Sequence, residues 1–224
     1  MGILNNGPHG PFKGRINNTV YYMLGDKNVS REIGVSTKPR TVPQLRNQLV
    51  TRLCSLFFCS VKDFIETGFS IKARKAKDNS YNQAIKHNKR DIFMGDYPDL
   101  EFNFEQILLS KGDLNHAEDL EVMQIPFGLQ FNWKTDPKMA WPDAADQVML
   151  LAYFPKHNRT EYELFGNSRI SGTASLEIPP SLHGEYMETY MSFISADRTQ
   201  VSDSVYTGGF NKREGTDYSL LLRS

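Results

Sequence analysis

The chain has 224 residues, 39% of them apolar and 23% charged, with ten Tyr and fourteen Phe. That length buries a core without disulfide or metal staples, and that composition excludes a disordered chain. There is no run of about eighteen apolar residues, and the opening MGILNNGPHGPFKG contains no apolar stretch of signal-peptide length, so neither a membrane span nor a secretion signal is expected. A cytoplasmic or virion-associated protein is the expectation.

The net charge of zero hides a division. Residues 1–94 carry 16 Lys and Arg against 6 Asp and Glu, a net +10, which leaves 10 against 20, a net −10, for residues 95–224. A basic end of this kind either grips an anionic partner or meets the acidic half of another copy.

Residues 1–18, with Gly2, Gly7, Pro8, Gly10, Pro11 and Gly14, read as an extended arm. Val20, Tyr21 and Tyr22 then lead into the turn-forming Leu24-Gly25-Asp26-Lys27-Asn28 and out through Val29 and Ile33, which predicts a β-hairpin over about 16–34. Thr41, Pro43 and Gln44 make a helix start: a cap, a proline in the first turn and a capping-box partner. From there Leu45, Leu49, Leu53, Leu56, Phe57, Phe64 and Ile65 recur at helical spacing up to Gly68, predicting one long amphipathic helix. Cys54 and Cys59 fall inside it, on different faces, and read as buried thiols. A shorter helix fits 79–93, with Tyr81, Ala84, Ile85, Asn88 and Ile92 on one side.

After Tyr97-Pro98 the period changes to two. Leu100, Phe102 and Phe104 alternate with polar residues, as do Phe127, Leu129, Phe131 and Trp133, and again Ile170, Ala174, Leu176 and Ile178. Val148 to Phe154 is continuously apolar, as a central strand would be. Residues 187–195 and 201–206 supply the last pair around Ala196-Asp197-Arg198-Thr199. The fold class is therefore α+β: an N-terminal hairpin with a long and a short helix, followed by an antiparallel β-sandwich. The division read from the sequence is a basic N-terminal segment at 1–96, a sandwich at 97–210 and a C-terminal tail at 211–224.

The segment IPPSLHGEYMETYMSFISADRTQVSDSVY resembles the end of a fibronectin type III or related immunoglobulin-like domain. That resemblance implies that Trp133 is a core Trp and that Tyr186 or Tyr190 is a corner tyrosine. The whole chain also resembles an uncharacterised family of Bacteroidota proteins. The resemblance rests on MGILNNG at 1–7, Gly14, Val20 to Tyr22, Pro39-Arg40-Thr41 through Gln44, YPDLEFNFEQILLSKGDL at 97–114 and SDSVYTG at 202–208. The family's Trp-Lys-Gly hairpin turn is replaced here by Met23-Leu24-Gly25. The resemblance implies a bacterial or phage-like origin and brings no activity.

No constellation specifies catalysis, a cofactor or a metal. The five histidines, His9, His87, His116, His157 and His183, are dispersed, and there is no HExxH, G-x-S-x-G or Walker motif. Asp143 with Asp146, and Asp113 with His116 and Glu118, read as solvated loops before they read as ion sites. The strongest charge feature is Lys72, Arg74, Lys75, Lys77, Lys86, Lys89 and Arg90, opposed between 72 and 90 only by Asp78. Two functions follow as expectations. The first is a non-enzymatic structural or adaptor protein, docking through its N-terminal arm, hairpin and helix into an assembly of its own copies or with a protein partner, a phage-like or virion assembly being one version, with the sandwich as display or binding module. The alternative is a nucleic-acid-binding protein using 72–90 for phosphate contact. Exposed Trp141, Tyr153 or Tyr162 would give the sandwich a carbohydrate platform, against the reading that they are buried.

Overall fold

A computed structural model of the chain describes Ile3–Leu4 and residues 12–212. The chain forms two compact units, Met1–Thr41 and Val42–Ser224.

The first unit is an antiparallel sheet in the order β1-β2-β3-β4, made of Ile3–Leu4 (β1), Phe12–Ile16 (β2), Thr19–Leu24 (β3) and Lys27–Glu32 (β4). The predicted hairpin is β3–β4, closed by Gly25-Asp26, with Gly25 at φ +61 as such a tight turn requires. Part of the expected extended arm is instead β2, which returns on β3 through Asn17-Asn18, with Asn17 in the left-handed region. The remainder of that arm, apart from β1, lies outside the described residues, as does the expected tail beyond Lys212.

The second unit opens with Val42–Ser60 (α1), one residue after Thr41 and with Pro43 in its first turn. It continues as Lys62–Gly68 (α2) and Ser70–Ala76 (α3). The single long helix expected to stop at Gly68 is thus a longer helical path bent at Val61 and Phe69. Main-chain bonds from Val61 to Phe57, Ile65 to Val61, Phe69 to Ile65 and Ala73 to Phe69 cross the bends, so the hydrogen-bond ladder survives them. The first bend coincides with a hydroxyl donated by Thr160 to the Ser60 carbonyl at 2.7 Å. Gly68 does not end the path. It makes room, because a Cβ there would sit 2.6 Å from the Leu109 carbonyl oxygen. Ser80–Asn88 (α4) follows, capped by the Asn79 side chain accepting from the Asn82 N–H at 2.7 Å. It ends earlier than expected, and Phe93–Met94 (β5) then pairs with Glu101–Phe102 (β6). The alternation at 100–104 is only in part a strand, because Phe104–Gln106 is a 3₁₀ turn. Cys54 is buried, as expected of a core thiol, whereas Cys59 is exposed.

Seven strands complete the unit: Glu121–Ile125 (β7), Gly128–Asn132 (β8), Gln147–Phe154 (β9), Arg159–Glu163 (β10), Thr173–Glu177 (β11), Met187–Ile194 (β12) and Val205–Phe210 (β13). They form two antiparallel sheets, β10-β9-β12-β13 and β11-β8-β7. Lettered in chain order with the fourth strand as C′, these are C′-C-F-G and E-B-A, a fibronectin-type sandwich. The last strand starts later than expected. Val201 and Ser202 make isolated bridges to Ile194 and Leu114, because Asp197 and Ser195 tie residues 195–200 into a turn, with Thr199 and Gln200 donating to them.

The sequence boundary at 96/97 does not separate two cores. Along β9, Val148, Leu150, Ala152 and Phe154 face the second sheet with Leu129, Phe131, Trp133 and Phe193. Met149, Leu151 and Tyr153 face the other way and join Phe57, Phe58, Phe64, Phe69 and Phe102 of the helical layer. The Phe57 and Tyr153 rings meet edge to face, with centroids 4.9 Å apart. The unit is therefore three layers, helices on sheet on sheet. Trp133 is the expected core Trp, and its indole N–H donates to the Arg169 carbonyl at 2.8 Å.

A shared core predicts a shared transition. In urea, helical ellipticity and the fluorescence of buried Trp133 should give coincident midpoints, whereas independent segments would separate them. Phe57→Ala should lower stability by about 3–5 kcal/mol in both signals together.

Candidate functional site

The helical layer and two loops enclose a cleft of about 440 Å³. α3 contributes Ile71, Lys72, Lys75 and Ala76, and α4 contributes Gln83, Lys86 and His87, at the three- and four-residue spacings that put side chains on one helix face. The remaining walls are Lys111-Gly112-Asp113 and Thr199-Gln200-Val201.

The loop bearing Lys111 is fixed from both sides. Asn88, 1% exposed, donates to the Leu108 carbonyl and accepts from the Leu108 N–H, at 2.8 and 2.7 Å. Ser204 accepts from the Leu109 N–H at 2.7 Å, and Ser110 donates its hydroxyl to the Ser202 carbonyl at 2.8 Å. Gly112 lies against Val201, where a Cβ would be 2.0 Å from the carbonyl oxygen, and its N–H donates to Asp203 at 3.0 Å. Asp203 also pairs with Lys111. The backbone of this loop is thus clamped on both sides by buried and part-buried side chains.

The cleft is electropositive. Lys75 has a loose ion pair with exposed Asp113 at 3.6 Å. Lys72 and Lys86 make no ion pair or hydrogen bond among the described residues. Asp78 is held in the α3–α4 turn, accepting from Asn82 and Gln83 side chains at 2.9 Å and from the Asn79 N–H at 2.8 Å, which keeps its carboxyl below the ordinary range. His87 registers the field. Burial lowers its pKa, and the positive charges of Lys72, Lys111 and Lys86 lower it further, against a smaller opposite pull from Asp203.

The seven cations singled out by the sequence do not form one patch. Lys72, Lys75 and Lys86 converge on this cleft. Lys89 and Arg90 line an adjoining groove of about 560 Å³ with Arg46, and Lys86 borders both. Arg74 lies in a separate groove with Glu66 and Asp78. Lys77 is the exposed left-handed cap of α3. Lys111, His87 and Arg46 were not singled out. A helical-wheel reading of α3 and α4 would have placed His87 beside Lys86, but nothing local announces that Lys111 joins them.

Two other candidates are committed elsewhere. Asp146 forms a buried ion pair with Arg169 at 3.0 Å, and its carboxyl is raised by burial despite that partner. No group of His, Cys, Asp or Glu among the described residues is arranged to hold a metal ion. Of the proposed sugar-stacking aromatics, Tyr153 is fully buried, Tyr162 donates its hydroxyl to Asp63, and Trp141 is exposed. The candidate corner tyrosines make other bonds: Tyr190 donates to the Phe104 carbonyl at 2.8 Å and Tyr186 to Glu188.

A three-layer α+β unit with a lysine-lined cleft, preceded in the sequence by a small N-terminal sheet, is the class these observations define. The chain belongs to a family of unknown function, DUF6266, which matches residues 18–208. No curated protein and no solved structure matches it.

The buried carboxyl of Glu188, which accepts from the Tyr186 and Tyr206 hydroxyls, yields a pH prediction. Burial raises its pKa above the ordinary 4.5, opposed by those two hydroxyls. The folded state then binds a proton that the unfolded chain has lost, so this contribution is present below about pH 4.5 and is lost as pH rises through the folded pKa. Glu188→Gln should flatten the fall in urea midpoint between about pH 4 and 7. An unchanged slope would show that Glu188 is not the titrating group.

Proposed function

We propose that this is a non-enzymatic structural or adaptor protein that docks through its N-terminal unit, with the sandwich-bearing unit as the body it positions. The observation that carries this reading is the state of the N-terminal sheet. Between Lys13 and Thr41 no residue is buried. A small sheet stable in water needs one face covered. Ile16, Leu24 and Val35 are more than half exposed, and Val20, Tyr21, Tyr22 and Met23 are only partly covered. β4 is moreover an edge strand, with backbone groups able to pair with a further strand.

A second copy of the chain is the occupant favoured by charge. Residues 1–41 carry 6 Lys and Arg against 2 Asp and Glu, while the sandwich at 121–210 carries 6 against 11. Opposite signs on two surfaces of one chain favour head-to-tail association and steer it at low salt. A phage-like or virion setting is the finer version of the same reading.

Light scattering after size exclusion tests it. Both hydrophobic cores lie within Val42–Ser224, so that fragment can be compared with the full chain. At about 0.1 mM protein, the full chain should exceed monomer mass in about 50 mM salt and shift toward monomer in about 500 mM, while 42–224 stays monomeric. A full chain that is monomeric at both salts, or a fragment that assembles equally well, defeats self-docking through the N-terminal unit.

A further inference from the structure

We propose that the lysine cleft and the adjoining Arg46–Lys89–Arg90 groove form one track for the phosphodiester backbone of a single-stranded nucleic acid, gripped by Lys72, Lys75, Lys86 and Lys111. The track lies wholly within Val42–Ser224 and does not depend on docking by the N-terminal unit.

Four observations meet here. The cations come from three separate chain segments, α3, α4 and the 110–113 loop, and the third is delivered by clamped backbone rather than by a flexible side chain alone. Lys72 and Lys86 make no ion pair or hydrogen bond among the described residues, so their ammonium groups are open to a ligand. Lys86 borders both depressions, so the cations of the cleft continue into the groove that holds Arg46, with Asp113 the one acidic residue among the described walls. That extent suits successive phosphates of a chain better than one isolated anion. Among the described residues the walls carry no Phe, Tyr or Trp. Recognition is therefore of the phosphate backbone, with little discrimination among bases. A concave cleft of about 440 Å³ admits a strand segment, whereas a duplex would touch only its rim.

His87 gives the site a proton link. Its neutral form is favoured by burial and by Lys72, Lys111 and Lys86, with Asp203 opposing, and Asp113 and Lys75 also facing the cleft. A phosphate seated among these lysines cancels their field, so the imidazolium becomes easier to form. Binding should take up a fraction of a proton and strengthen as pH falls below 6.5, the ordinary value of the group, toward the lowered value in the free protein.

The test is fluorescence anisotropy with labelled dT20, dT4 and a 20-base-pair duplex, using the full chain and 42–224. The expected result is binding of dT20 with a log–log salt slope of about −3 between 50 and 200 mM, as for four phosphates neutralised. dT4 and the duplex should bind more weakly, and both protein forms should behave alike. Lys72→Ala/Lys86→Ala should weaken binding at least about tenfold at 50 mM salt and flatten the slope by about 1.4. Lys134→Ala/Lys138→Ala, the same charge change away from the cleft, should alter it less than about twofold. Proton NMR of His87 should show its pKa rising when dT20 is added. Any one of four outcomes overturns the proposal: no dT20 binding at 50 mM salt, equal affinity for dT4, tighter binding of the duplex, or a Lys72/Lys86 variant that melts and binds like the parent.

Discussion

Everything in the larger unit depends on one sheet being buried on both faces. β9 and β12 lie at its centre, and all eight residues of β12 and seven of the eight in β9 are buried. A strand in that position has no solvent side, so it must satisfy two packing surfaces with alternate residues. On one side this gives the interior of the sandwich. On the other it gives the seat for the bent helical path, where Phe57, Tyr153 and Tyr190 bring helices and sheet into one cluster. Of the polar residues that β12 buries, the Ser192 hydroxyl has no partner among the described residues, whereas Glu188 lies between two tyrosine hydroxyls and Thr189 bonds to Thr207 and the Gly208 carbonyl. Such bonding is the condition for placing the latter two there.

This two-sided burial also explains what could be read in the sequence. The continuously apolar Val148–Phe154 announces a central strand, and the alternations around Leu129 and Leu176 announce strands with one wet face. The seven-strand sandwich, the hairpin and the helical face followed from period alone. The same apolar run carried a further message, that a second layer must cover the outer face of that sheet. The change of period at Tyr97-Pro98 read instead as a boundary between domains, because periodicity reports each element's own face and not what lies against it. The bends at Val61 and Phe69 were hidden for a related reason. Apolar spacing runs through both positions, and what bends the path is contact with β10 and with the 108–112 segment, neither of which is local.

The basic cleft was legible as charge and illegible as geometry. The run from Lys72 to Arg90 stands out by composition, yet folding it into two antiparallel helices disperses Arg74 and Lys77 away from the lysines that converge. Sequence counts charges along a line, while a site needs them around a hollow. The converse holds for Lys111, which lies in an ordinary-looking loop beside Gly112 and becomes a wall of the cleft only through tertiary contacts.

Two glycines explain how those contacts arise. Gly68 lets the Leu109–Ser110 backbone close onto the helix, and its carbonyl accepts from the Lys111 N–H at 3.2 Å. Gly112 lets the same loop close onto Val201, with its N–H held by Asp203. At each point a methyl group would stand nearer to a backbone oxygen than atoms can approach, so the loop would have to move as a whole. Asp203 then sets the position of Lys111 through the same carboxylate that anchors Gly112. The position of one cleft lysine is thereby tied to the hairpin that closes the sandwich, because Ser202, Asp203 and Ser204 lead directly into β13. The helical layer and the sandwich therefore do more than share a core: the cleft has the shape it has only when both are in place.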